Sequence, residues 1–143
     1  MQAFLTDHRL NVGLVSTKVP LISNLPVWSN IALIRQYHEN LPGEESRALV
    51  IDLLERFGMT SIAEKRNPFL TEEERFYVMF IRAAMVRDAI VCLDRPFRLL
   101  PARPGGRFFT EALQKIDDLI AEVHIFDYSR EKEQYETSDG AEN

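Results

Sequence analysis

Apolar positions along the chain fall into short continuous runs and longer stripes of helical period. Asn11-Val-Gly-Leu-Val15 is rich in β-branched residues, is entered from the polar Asp7-His8-Arg9, and predicts a buried strand. Ser16 to Pro20 breaks that pattern, and Ser23-Asn-Leu-Pro26 offers cap residues and a proline ahead of a helix over Trp28 to His38, with Trp28, Ile31, Ala32 and Arg35 on one face. Asn40-Leu-Pro-Gly43 closes it. Glu44 opens a second helix in which Val50, Leu53, Leu54 and Phe57 sit at i, i+3, i+4 and i+7, and Gly58 stands where a left-handed residue ends a helix. Thr71-Glu-Glu-Glu74 spells a capping box, and its carboxylates suit the positive end of the helix dipole. The third helix behind it carries Phe76, Met79, Phe80, Ala83 and Val86 on a broad apolar face. Asp88 to Asp94 has a continuous apolar centre, the pattern of a strand covered on both faces. A loop over Pro101 to Gly106, a fourth helix through Phe109, Ala112, Leu113, Ile116 and Ile120, and a last strand over Glu122 to Phe126 follow; from Ser129 the chain is polar and acidic and reads as disordered. This order predicts an α/β layer with a helical insertion.

Composition narrows the function classes. A chain of 143 residues, 45% hydrophobic and 27% charged, has the proportions of one globular domain. Seventeen Lys and Arg against 22 Asp and Glu give a formal charge of −5, and the basic residues do not cluster, which argues against nucleic acid as a partner. A single cysteine excludes an internal disulfide. Neither a signal peptide nor a transmembrane run can be drawn, so the expectation is a cytoplasmic chain with no direct membrane insertion.

Chemistry is sparse. No Gly-x-x-x-x-Gly-Lys-Ser/Thr cradle for phosphates occurs, and Gly105-Gly106 follows a proline and reads as a turn. His8, His38 and His124 lie in separate elements without a Cys at ligand spacing, so no metal centre is expected from them. Cys92, mid-strand, reads as a small buried hydrophobe. Asp94 closes a central strand, where ligand sites of open α/β sheets gather; a structural cap and a metal ligand are both open readings of it.

Three blocks carry a resemblance: Ser23 to Leu33, Leu70 to Ala84, and Ile90-Val-Cys-Leu-Asp-Arg-Pro96. They resemble successive blocks of ABC transporter ATPase subunits, namely the segment after the Q-loop, the signature Leu-Ser-Gly-Gly-Gln with its helix, and Walker B. Leu70 aligned with the signature Leu places Arg75, Val78, Arg82 and Ala83 on their counterparts and, without a gap, Asp94 on the Walker B Asp. The likeness covers about residues 9 to 128. Tyr37-His-Glu-Asn-Leu-Pro42 also resembles the lipid-transport branch.

The resemblance implies a small parallel sheet of about three strands with a helical insertion, over a domain of residues 1–128 (insertion about 27–87) and a tail of residues 129–143. It also implies lost chemistry. The Walker A half has no counterpart, and Ser16 or Thr17 stands for the Q-loop Gln. In the degenerate signature Leu70-Thr71-Glu72-Glu73-Glu74, Glu72 and Glu73 replace both glycines; at about 4 Å and a dielectric near 20, each carboxylate would repel a phosphate charge by about 4 kcal/mol. Arg95 takes the place of the catalytic Glu, Pro101 that of the D-loop Asp, and the switch His falls at or near Phe126. The expectation is therefore no ATPase activity, no cofactor, and a binding or regulatory role with a protein partner. The alternative is the second half of a split ATPase completed in trans by a chain bearing Walker A. In the family the helical insertion receives a coupling helix of the membrane subunit, which makes Trp28, Asn30 and Tyr37 candidate docking residues, with Trp28 also readable as core. By the same likeness, Ile90 to Asp94 lies centrally between Val12 to Val15 and Val123 to Phe126. The outer edge of that last strand then calls for a second copy, another partner, or a cover formed by Gln2 to Leu5.

Overall fold

The computed structural model describes residues 11–100 and 105–126. The expected cover by Gln2 to Leu5, Pro101 and the acidic tail lie outside the described residues. Three parallel strands in the order β1-β2-β3 form the sheet: β1 (Val12–Val15), β2 (Ala89–Asp94) and β3 (Ile120–Phe126). Val15 pairs with Leu93, and Asp94 with Phe126, so β2 is central as expected. Its continuous apolar run is buried on both faces, as a middle parallel strand requires.

Between β1 and β2 the chain makes α1 (Val27–Glu39), α2 (Gly43–Arg56) and α3 (Glu72–Ala83); α4 (Gly106–Lys115) connects β2 to β3. In α2, Val50, Leu53 and Leu54 are buried, and Gly58 beyond its end takes φ +68°, the left-handed stop its position suggests. At α3, the Thr71 hydroxyl accepts from the Glu74 amide at 3.1 Å while the Glu74 carboxylate accepts from the Thr71 amide at 2.8 Å, the complete capping box. Phe76, Met79, Phe80 and Ala83 then enter the core, where the Phe76 ring lies against Phe80, Phe108 and Phe109.

Three local expectations are corrected. Helix α1 begins at Val27, after Pro26 at the N-cap position and without a side-chain cap from Ser23 or Asn24; instead the amides of Val27 and Trp28 donate to the carbonyls of Lys65 and Ala63, at 2.8 and 3.0 Å. Helix α3 stops at Ala83, and Val86 packs from the turn that follows. Helix α4 starts at Gly106 and ends at Lys115, so Ile120, whose spacing from Ile116 suits a helix, opens β3 opposite Ala89, because pairing with β2 outweighs the helical period.

Candidate functional site

The carboxyl ends of the strands bring Ser16, Asp94, Arg95 and Phe126 together. Asp94 ends β2 and is 5% exposed. The hydroxyl of the fully buried Ser16, just past β1, donates to Asp94 Oδ2 at 2.8 Å, and accepts from the Lys18 amide at 3.1 Å. Arg95 Nε donates to Asp94 Oδ1 at 3.2 Å, and the Arg95 amide donates to the Phe126 carbonyl at 2.7 Å. Arg95 itself has φ 48° and ψ 59°, a conformation a long side chain rarely takes. Its backbone therefore turns sharply out of the strand while its side chain folds back on the preceding residue.

A divalent cation does not fit this arrangement. Such an ion takes oxygen ligands and needs their lone pairs free of competing positive charge, whereas one Asp94 oxygen faces a guanidinium and the other accepts from a hydroxyl. Among the described residues no group of three or more His, Cys, Asp or Glu side chains could hold a metal ion.

The segment expected to be a degenerate signature lies elsewhere. Leu70 is buried, while Thr71, Glu72 and Glu73 are exposed at the start of α3. Arg75 braces the preceding turn, with Nε on Asn67 Oδ1 at 2.6 Å and an Nη on the carbonyls of Asn67 and Leu70, both at 3.1 Å. Ala83, at the other end of α3, touches β1, so at 1.5 Å per residue the helix carries Glu72 about 16 Å from that contact. Phe69, immediately before this segment, is 73% exposed.

A second feature is a groove of about 560 Å³ between β1, α1 and the end of α3, with Val19, Leu33, Tyr37 and Arg82 on its walls. Of the candidate docking residues, Tyr37 is 80% exposed and lines it. Asn30 also borders the groove, yet it is 3% exposed: its Oδ1 accepts from the Ile22 amide at 2.8 Å and its Nδ2 donates to the carbonyls of Ile22 and Leu25 at 3.1 and 3.2 Å. Asn30 thus shapes the groove by holding the incoming loop. Trp28 is half-buried and packs against the core. Arg82 clamps the same loop from α3 through the carbonyls of Val19 and Pro20, and burial lowers its pKa from the usual arginine value. Sequence reasoning passed over Leu33 and Val19; the signal available was an apolar Leu33 off the buried face of α1, where a polar residue is usual.

Cys92 is buried in β2, and desolvation pushes its thiol pKa up. His38 lies at the end of α1, and His124 Nε2 meets Glu122 Oε2 at 2.9 Å on β3.

No family model matches the chain. The sulfate/thiosulfate import ATP-binding protein CysA of Synechococcus elongatus is 27% identical over 128 residues, which is 90% of this chain and 37% of that protein. The dimeric structure of MJ0796, a bacterial ABC transporter cassette, superposes with a TM-score of 0.60 at 20% identity, covering 95% of this chain and 61% of the cassette. The chain thus spans less than two thirds of the length of either of these proteins. Over most of its length, this chain is homologous to ABC transporter ATP-binding proteins.

Proposed function

We propose that this ABC ATPase-like domain is a non-catalytic binding module that engages a protein partner, a membrane transporter subunit, through the groove between β1, α1 and α3. The observation that carries the non-catalytic reading is the pairing of Asp94 with Arg95. General-base catalysis needs a carboxylate able to take a proton from water held in line with the phosphate, and Arg95, at the position corresponding to the catalytic Glu, has no such capacity. Glu72 and Glu73 add negative charge at the segment that corresponds to a phosphate-binding signature. The same residues weigh against completion in trans, since a chain supplying Walker A would leave Glu72, Glu73 and Arg95 as they are. The groove supports the binding half: it exposes Tyr37 and Leu33, and Asn30 and Arg82 hold its loop wall in place. No helix among the described residues is long and apolar enough to cross a membrane, so contact with a transporter would run through such a surface.

Calorimetric titration with a magnesium-ATP analogue, beside thermal shift, tests the reading. No saturable heat and no shift at millimolar ligand is expected. A sub-millimolar dissociation constant would overturn it.

A further inference from the structure

The sheet has two faces, and the described helices take only one of them. Both crossovers join parallel neighbours, and such connections are right-handed, which sets α1 to α3 and α4 on the same side. Gly13 meets Ala83 there, and Val15, Val91 and Leu93 join Phe76 and Ala112 in one core. Side chains alternate along a strand, so Leu14, Ile90 and Cys92 point to the opposite face, where the register sets Leu14 beside Cys92 and Cys92 beside His124. None of the three belongs to the helix-side core. Yet Cys92 is 0% exposed, and Leu14 and Ile90 are half-buried. A middle strand with one bare face would leave Cys92 open to water, so its cover has to come from beyond the described helices.

We propose that the segment Met1–Leu10 is this cover: it folds back across the sheet with Phe4 and Leu5 seated on Leu14, Ile90 and Cys92, and closes the face to other partners. Leu10 adjoins Asn11 at the base of β1, so the segment enters beside the face, whereas the outer edge of β3 lies two strands away. Met1, Phe4 and Leu5 stand at i, i+3 and i+4, one apolar stripe of helical period. Ten helical residues reach about 15 Å, enough to cross three strands spaced about 4.8 Å apart. The rest of the chain is poorly suited to the task. Residues 129–143 offer Tyr135 as their one large apolar side chain and carry five acidic residues against Arg130 and Lys132, while the face is bordered by Asp94 and Glu122. Pro101 to Pro104 holds no aromatic or branched aliphatic side chain. The proposal is independent of the nucleotide and transporter readings.

Cys92, the one cysteine of the chain, lies in the covered face and reports on it. In a Phe4→Cys chain, with oxidised glutathione as the oxidant, an intramolecular disulfide to Cys92 is expected, seen as a bridged monomer by mass. Tyr135→Cys in the tail is expected to form none. In the unmutated chain Cys92 reacts slowly with a maleimide; Phe4→Ser combined with Leu5→Ser is expected to speed that reaction by about tenfold or more, because local opening then suffices in place of global opening, while circular dichroism stays unchanged. A disulfide-linked dimer of the Phe4→Cys chain would assign the face to a second copy, and a bridge from Tyr135→Cys in place of Phe4→Cys would assign it to the tail. Either result overturns the proposal, as does an unchanged labelling rate in a folded double-serine variant. Should that variant fail to fold, the bridge to Cys92 in the Phe4→Cys chain decides alone.

Discussion

Gly13 of β1 lies directly against Ala83, the last residue of α3: a Cβ built at Gly13 would sit 2.0 Å from the Ala83 carbonyl oxygen. The obstacle is backbone, so the strand and the helix would have to part. Gly13→Ala is expected to cost about 3 kcal/mol or more, at the upper end of overpacking effects, read as a fall in the midpoint of chemical denaturation with an unchanged slope. An unaltered midpoint would show that α3 slides on the sheet without penalty.

The three candidate docking residues separate by mutation. Asn30→Ala leaves the Ile22 amide and two carbonyls without their partner, a loss of about 1–3 kcal/mol for buried polar groups. Trp28→Ala destabilises through lost packing. Tyr37→Ala leaves stability within about 0.5 kcal/mol, as exposed substitutions do, while weakening association with the transporter partner. Thermal denaturation of the three variants checks the ranking; a Tyr37→Ala protein as unstable as Asn30→Ala would remove Tyr37 from the surface role.

Thr71→Ala should cost about 1 kcal/mol, since it leaves the Glu74 amide without its cap. Replacing Glu72 and Glu73 with Gln removes favourable charge from the helix start, about 0.3–1 kcal/mol for each. Both effects are readable in urea titrations at low salt, and the second shrinks as salt is added.

Acid should loosen two surface links. The hydrogen bond from Arg87 holds the Glu39 carboxyl below its ordinary range, and that from Arg56 does the same for Asp118. With folded pKa values depressed, their stabilisation is present above the unfolded carboxylate values, near about pH 4, and disappears as pH falls through the lower folded values. Stability measured from neutral pH downward is expected to decline in that acid range, with a shallower decline in Glu39→Gln and Asp118→Asn. Equal slopes in wild type and both variants would contradict the assignment.

Cys92 offers a chemical readout of opening. Burial raises its thiol pKa, so little thiolate exists in the folded chain. A thiol reagent is expected to modify Cys92 only as fast as β2 becomes exposed, with rates that rise in parallel with added denaturant. Fast, denaturant-independent labelling would refute this.

Much of the fold is legible in the sequence because its determinants are local. The Thr71–Glu74 box and the Val50 to Gly58 stripe each lie within a few turns of chain, where period and capping chemistry act alone. Ile120 is ambiguous in the sequence because a four-residue spacing from Ile116 serves a helix equally well, and only the pairing with Ala89 decides. The site was harder to read. Ser16 and Asp94 are separated by 78 residues, and Arg82 by 63 from Val19, so neither contact leaves a periodic trace. The buried, loop-holding role of Asn30 leaves no mark in the sequence because its partners lie in an irregular loop.

The 78-residue separation between Ser16 and Asp94 also governs the order of assembly. Joining points that far apart in an open chain costs about 4 kcal/mol of closure entropy before any pairing compensates for it. The contacts of α1 with α2 lie close in sequence and carry no such burden. The helices are therefore expected to gather first and shorten the effective path between β1 and β2. On that order the hydroxyl of Ser16 would reach Asp94 only in the final docking of β1, which would make that bond a marker of completed folding.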